Sequence, residues 1–359
     1  MHNSSDYFSE PAPLGVALVG FGYAGRTIHA PLLTSTPGLV LRAVVSRNPF
    51  GVRDEHPDVR VTSSLDETCR SLDVDVVVIA APNDLHAPLA HAALDAGKHV
   101  VIDKPFAVTL SETDSLIAHA AAAGLKITAF QNRRWDADFL TLSRLLREGA
   151  LGEIAQFESR FDRFRPLVRD RWREKPGLGA GAWFDLGPHL LDQALLLFGP
   201  PRSVFADIFA QRRQAEADDY FHVLLKYDRL RVVLRSSALT SGRGLRFEIH
   251  GDTGGYVKWG FDQQEAQLKQ GMRPGQQNWG EDPSLGMLSR TDGDVTLETE
   301  TANERGDYTS FYRSFADAIL HDRDPPVTVA QIRRVSAVIE RCLESAAQRR
   351  ELELRPCAA

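Results

Sequence analysis

Along the first third of the chain, short apolar runs rich in β-branched residues alternate with stretches whose apolar positions recur at helical spacing. The runs cover residues 14–19, 40–45, 75–80, 99–102 and 125–130. An apolar β-branched run without polar alternation suits a strand covered on both faces, the condition of a parallel sheet. Between the runs, helices are expected from Gly25 to about Leu33, from His86 to Ala96 and from Thr109 to Ala123. Gly97 and Gly124 stand where the last two must stop, and Thr109-Leu-Ser-Glu112 forms a capping box at the start of the third. Strands alternating with helices predict a doubly wound α/β unit of six strands over residues 14–130, of which the runs locate five and 125–130 is the last.

After Gln131 the pattern changes. A helix is expected at 138–148, followed by strand-like runs at 154–164, 219–227, 230–238 and 246–250. An apolar helix at 188–198 lies among them, and two amphipathic helices, 308–321 and 329–349, close the chain. Strands gathered together with helices to one side predict an α+β unit over 131–355, built on a large open mixed or antiparallel sheet. Its own helices are too few to cover both sheet faces, so an oligomer is expected. The first thirteen residues are polar and read as a loose tail.

Composition narrows the function classes. The chain has 359 residues, enough for two units of ordinary size, with 25% charged and 43% hydrophobic residues. A net charge of −6 lacks the basic footprint of a nucleic-acid-binding protein. The three cysteines, Cys69, Cys342 and Cys357, are far apart and show no metal-ligand spacing, which fits a reducing compartment and no bound metal. No apolar stretch approaches the roughly 18 residues of a membrane span, and a cytoplasmic protein is expected.

The chemistry-bearing residues stand at the ends of the predicted strands, where ligands bind in open α/β sheets. Gly20-Phe21-Gly22-Tyr23-Ala24-Gly25 follows the first strand. Its first glycine permits a tight turn, its second lets backbone approach a pyrophosphate, and its third lets helix and strand pack closely. An NAD site would place a carboxylate after the next strand to hold the ribose 2′-hydroxyl, but the chain reads Ser46-Arg47. A hydroxyl and a guanidinium suit a 2′-phosphate, so NADP is expected over NAD; a surface Arg47 packed on adenine is the alternative. Ala81-Pro82-Asn83 and His86 follow the third run, and Asp103-Lys104-Pro105 follows the fourth. Asp185 and His189 lie four apart at the start of helix 188–198, where both can face one cleft, although a helix cap and a core histidine would account for them singly. Lysine, aspartate and histidine are what proton removal from an alcohol needs while a hydride leaves its carbon. The arginines from Arg160 to Arg173 interleave with Asp162, Asp170 and Glu174, and mixed charges of this kind usually pair into a structural stretch.

These markers in this order (Gly20-x-Gly22-x-x-Gly25, Ala81-Pro82-Asn83-x-x-His86, Lys104-Pro105 and Asp185-x-Gly-x-His189) resemble the glucose–fructose oxidoreductase / inositol dehydrogenase / MocA (Gfo/Idh/MocA) family. The resemblance runs from Leu14 to Leu354, and Asp103 stands where the family usually has glutamate. It implies an N-terminal Rossmann fold and a C-terminal α/β unit whose open sheet mediates dimerisation, often building tetramers, so that a homodimer or homotetramer is expected. It further implies that Lys104 holds cofactor and substrate hydroxyl, that Asp185 and His189 form an acid–base pair, and that Pro82, Asn83 and His86 surround the nicotinamide end. Stretches such as Asn132-Arg133-Arg134-Trp135 and Trp183-Phe184-Asp185 look most like an NADP-dependent branch that includes scyllo-inositol dehydrogenase.

The expected activity is therefore reversible, NADP-dependent oxidation of a secondary hydroxyl on a cyclitol or sugar. Asn132, Arg133, Arg163, Trp172 and Trp183 are the expected pocket walls, by family position and residue type, around a neutral polyol, with an acidic sugar such as a uronate left open by the arginines. Asp185 is expected to orient the imidazole or to pair with Lys104, and as a neighbouring carboxylate to raise the His189 pKa. Either Lys104 or His189 could be the final proton acceptor. Two other readings compete: a redox-assisted glycosidase that retains NAD, and a non-catalytic NADP-binding sensor. Ser46-Arg47 weighs against the first, and the full set of Lys104, Asp185 and His189 against the second.

Overall fold

A computed structural model describes residues 12–354; most of the expected N-terminal tail, and Cys357, lie outside the described residues. The N-terminal half forms a six-stranded sheet from β1 (Leu14–Val19), β2 (Leu39–Val45), β3 (Arg60–Thr62), β4 (Val76–Ile79), β5 (His99–Ile102) and β6 (Ile127–Ala129). All neighbours are parallel and the order is β3-β2-β1-β4-β5-β6, the doubly wound order of dinucleotide-binding folds. Every residue of β1 and β4 is buried, which is why these strands read as unbroken apolar runs. The pattern did not locate β3, whose three residues are exposed or half-buried at the sheet edge. The capping box at Thr109 is formed, with Gly124 in the left-handed conformation closing Leu110–Ala123.

The C-terminal half forms a nine-stranded mixed sheet. Its strands are β7 (Ile154–Arg160), β8 (Ser203–Phe209), β9 (Tyr220–Lys226), β10 (Arg231–Ser237), β11 (Leu245–Gly251), β12 (Gly254–Trp259), β13 (Gly286–Asp292), β14 (Val295–Thr301) and β15 (Leu352–Glu353). The order is β14-β13-β12-β11-β7-β10-β9-β8-β15, with only β7 and β10 parallel. β9 and β10 bury alternate residues; one face packs on helices Gly181–Phe198 and Val329–Gln348, and the other carries Phe205 and Phe209 of β8 in the open. The run pattern did not reveal β8 or β12–β15. β14 is exposed along nearly its whole length, so burial left no mark on its sequence.

One helix differs from expectation in a way that matters for chemistry. It starts at Gly181, not at Pro188, so Asp185, Pro188 and His189 sit inside it. Proline in the first helical turn is the usual signal of a start, but here a distant residue supplies the cap. The Asp218 carboxylate accepts the Trp183 N–H at 2.6 Å and its carbonyl accepts the Ala182 N–H at 2.7 Å. The late helix Thr309–Leu320 turns Phe311, Tyr312 and Phe315 into the core of the six-stranded sheet, bracing the two halves against each other.

Candidate active site

The glycine segment closes over the end of β1. Gly20 adopts a positive φ of 95°, and a Cβ on Gly25 would run into the Gly20 carbonyl. Around Gly22, by contrast, a Cβ would meet nothing, so backbone there borders open space of the kind a pyrophosphate fills. A cleft of about 570 Å³ follows from Gly20–Ala24, past Ser46 and Arg47, to Ala81, Pro82 and Asp103. That size lies within the roughly 300–1,000 Å³ of small-molecule sites. Asp103 is the one acid among its lining residues and stands at the β5 end, away from β2. The residues present therefore fit a dinucleotide and set no carboxylate beside Ser46, whose hydroxyl instead accepts the Asn48 N–H at 3.1 Å.

Three of the expected cofactor residues brace this cleft from outside its lining. The buried His86 imidazole bridges two carbonyls, Pro105 O at 2.7 Å and Ala81 O at 3.0 Å, locking the loop after β4 to the loop after β5. Asn83 donates to Gly179 O at 2.7 Å, which ties the loop after β4 to the segment entering helix Gly181–Phe198. Gly25 packs helix on strand. Asp103 accepts the Lys104 N–H at 2.8 Å and lies 3.8 Å from the buried His29, which in turn contacts the Tyr312 hydroxyl at 2.6 Å. Burial opposes ionisation of Asp103, but His29 and Lys104 outweigh it and hold its pKa down to about 2.

The lysine at the end of β5 and the carboxylate in the distant helix meet. Lys104 Nζ donates to the Asp185 carboxylate at 3.0 Å and to the Asp185 carbonyl at 2.5 Å. Arg173 approaches the same carboxylate at 3.4 Å. Burial works against the Asp185 charge, yet Lys104 first and Arg173 next keep it ionised far below the usual carboxylate range. His189, one turn further on, is buried and its Nδ1 has no hydrogen-bond partner.

The expected upward shift of the histidine is reversed. Burial pushes the His189 pKa well below its ordinary value, and Lys104, Arg133, Arg246 and Arg163 push it further. The reason is that Asp185 is committed to Lys104 and Arg173, so the imidazole is governed by cations. Of the two roles foreseen for Asp185, the structure shows the pairing with Lys104.

The expected pocket walls separate into different places. Trp183 is fully buried; its ring packs on Phe221 and occupies the space a side chain on Gly187 would need, so it is a core residue and not a wall. Arg133 is buried and held by Asp136 at 3.2 Å and Glu265 at 2.8 Å, and Asn132 is buried beside it. Trp172 is exposed, lines the dinucleotide cleft and carries the Arg173 guanidinium over its ring. Arg163 lines a second, smaller cavity that Asp185 and Arg173 also border. Along the arginine-rich stretch, Arg160 and Arg171 pair with Glu158 and Glu174 as mixed charge predicts, while Arg163 and Arg165 form no ion pair among the described residues.

Several residues at the site carried no local signal. Arg246 is buried against Asp138, Ser159 and Gln193. Glu265 accepts both Arg133 and the Tyr23 hydroxyl of the glycine segment, the latter at 2.7 Å. Arg173 borders both cavities. Only partners far away in sequence give them meaning. No group of three or more His, Cys, Asp or Glu among the described residues is arranged to hold a metal ion, and no helix among them is long and apolar enough to cross a membrane.

Two family models cover nearly the whole chain. The oxidoreductase family's NAD-binding Rossmann fold (Gfo/Idh/MocA) matches residues 14–131, and that family's C-terminal α/β domain matches residues 143–354. The oxidoreductase YdgJ of Escherichia coli is 47% identical over 94% of this chain and 97% of its own length. The scyllo-inositol 2-dehydrogenase (NADP(+)) IolW of Bacillus subtilis is 35% identical over 94% of this chain and 95% of its own. Among solved structures, the YPO2259 oxidoreductase of Yersinia pestis superposes with a TM-score of 0.93 at 43% identity, covering 97% of this chain and 99% of that one.

Proposed function

The chain belongs to the Gfo/Idh/MocA oxidoreductase family, and from that premise we propose that it reversibly oxidises a secondary hydroxyl of a sugar or cyclitol with NADP. One observation carries the reading: Lys104, at the end of β5, is joined to Asp185 one turn before His189, next to Asp103 and Arg173 of the dinucleotide cleft. A nicotinamide cofactor held in the cleft of Gly20–Ala24, Ser46 and Arg47 would supply the hydride acceptor for the carbinol carbon. Lys104, steadied by Asp185, donates a hydrogen bond to the hydroxyl oxygen and stabilises the negative charge that develops there. His189, kept neutral by burial and by the cations around it, takes the hydroxyl proton. In the reverse direction the imidazolium returns that proton to the oxygen as the carbonyl is reduced. A relative named as an NADP(+)-dependent scyllo-inositol 2-dehydrogenase, IolW, supports both the cofactor and the polyol.

Ser46 and Arg47 at the cleft support NADP, since a carboxylate in their place would repel a 2′-phosphate. NADP and NAD reduction across a panel of cyclitols and aldoses tests this. The native protein is expected to prefer NADP, and Ser46→Asp to lower kcat/KM for NADP by about tenfold or more, the effect of losing one charge-assisted contact. Equal efficiency with both cofactors in the native protein would refute the assignment. The uncovered face of the nine-stranded sheet, with Phe205 and Phe209 exposed, supports a homodimer or homotetramer, which a monomeric mass by light scattering would rule out.

A further inference from the structure

The cavity beside Asp185 is lined by five arginines (Arg163, Arg165, Arg171, Arg173 and Arg212) and four acids. Each acid is already engaged. Asp185 holds Lys104 and Arg173. Glu174 holds Arg171 at 2.6 Å and Arg212 at 2.9 Å, and Asp219 holds Arg212 at 2.6 Å. Asp218 is turned to the helix start, where it accepts the Trp183 N–H. Arg163 and Arg165 are what remains.

Their placement is fixed by the backbone. The Arg163 N–H donates to Ser237 O at 2.9 Å and the Arg165 N–H to Ala238 O at 2.7 Å, which keeps the chain extended alongside the end of β10. Residues two apart on extended backbone face the same side, and both arginines line the cavity. The Arg163 guanidinium rests 4.9 Å from the Phe161 ring centroid, so its apolar face is covered and its N–H edge is left without an acceptor. Burial first, and then Arg165, pull the Arg163 pKa down to about 10, which Asp185 and Glu265 offset only in part. A half-buried charge with no ion-pair partner is costly, and a site that keeps one gains from an anion that supplies the missing partner.

We propose that Arg163 and Arg165 form a carboxylate-binding subsite and that the substrate is a sugar acid, a polyhydroxy carboxylate whose reacting hydroxyl lies at Lys104 and His189. This rests on the alcohol-oxidation reading and favours the acidic sugar, which the sequence left open, over the neutral polyol. The cavity, about 60 Å³, admits a group of a few heavy atoms, and a guanidinium pair matches the planar fork of a carboxylate. Because Asp185 borders the cavity while holding Lys104, an anion bound there places the rest of a sugar chain against the lysine.

Matched pairs test the proposal: glucose against glucuronate and gluconate, myo-inositol against a uronate, and glucose 6-phosphate as a separate arm. The acid is expected to exceed its neutral partner in kcat/KM by about tenfold or more, as charged hydrogen bonds require. In the double variant Arg163→Gln, Arg165→Gln this ratio is expected to collapse toward one, with partial recovery in Arg165→Lys on the Arg163 background. NADPH binding and melting temperature establish that each variant is folded. Protection of the NADPH-loaded protein against heat by glucuronate, lost in the double variant, reads the subsite without turnover. A neutral partner equal to or better than its acid, an unchanged ratio in the double variant, or preference for the sugar phosphate would each overturn the carboxylate assignment. If no sugar or cyclitol is oxidised, the alcohol-oxidation reading fails, while heat protection still decides whether the anion subsite exists.

Discussion

The dinucleotide cleft presents glycine backbone, a proline and one carboxylate, whereas the neighbouring cavity presents five arginines against four acids. The first is a surface made by omitting side chains: Gly22 leaves space and Gly20 supplies a conformation that L side chains rarely adopt. The second is a surface made by balancing charges brought from separate elements. Arg212 reaches 38 residues back to Glu174, and Lys104 reaches 81 residues forward to Asp185. A backbone cradle accepts the cofactor as a rigid template, and a charge-balanced cavity is selective through whichever charge it leaves over. Arg173, which borders both, is where the two meet.

The sharpest way to break this contrast is at Lys104. Lys104→Met is expected to lower turnover by about 10²–10⁴-fold, the contribution of a positioned proton-handling group, while NADPH binding persists because the glycine cradle is untouched. Steady-state rates together with fluorescence titration of NADPH check it. Full activity would move the chemistry away from the pair with Asp185.

A second pair of substitutions sharpens the account of the cleft. Gly25→Ala is expected to cost about 1–3 kcal/mol of stability through overpacking, because the new Cβ meets the Gly20 carbonyl. Gly22→Ala meets no protein atom and is expected to leave the melting temperature within about a degree or two, yet to weaken NADPH binding by occupying the phosphate space. Similar melting losses in both variants would mean that Gly22 serves packing and not ligand approach.

The smallest expected effect is in pH dependence. Oxidation needs a neutral His189, and burial followed by Lys104, Arg133, Arg246 and Arg163 holds its pKa well below the ordinary histidine value. The oxidation rate is therefore expected to stay level through neutrality and to fall only as pH drops through that lowered pKa. Reduction, which needs the imidazolium, is expected to rise in the same acid range. The sign for stability agrees: below about pH 6.5 the unfolded imidazole takes a proton that the native one refuses, so folding stability declines toward acid. A limb at or above the ordinary histidine range, in pH–rate profiles of both directions, would show that Asp185 governs the imidazole after all.

The parallel sheet was legible wherever burial was complete. β1 and β4 are buried at every residue and stand out as apolar runs, while β3 and β14, exposed at sheet edges, left no pattern to find. The glycine segment, Ser46-Arg47 and Asp103-Lys104 were legible because each site follows directly from its own strand end. Helix Gly181–Phe198 was misjudged at its start because its cap, Asp218, lies beyond its far end in sequence. Trp183 was misplaced for a related reason: an aromatic residue two before Asp185 suits a sugar-facing wall by type, but Gly187 opens a core slot for it.

By itself the sequence determined the doubly wound half, the glycine cradle and the identity of Lys104, Asp185 and His189, because period, turn residues and strand ends are local properties of the chain. Tertiary structure alone decided which charges are paired. It gave Asp185 to Lys104, surrounded His189 with cations and left Arg163 and Arg165 facing a cavity with no ion pair of their own among the described residues. The physical reason is that a charge's state depends on burial and on partners within a few ångströms. At this site those partners come from the end of β5, the extension of β7, the segment before Gly181 and the helix it begins, whose proximity no local pattern encodes.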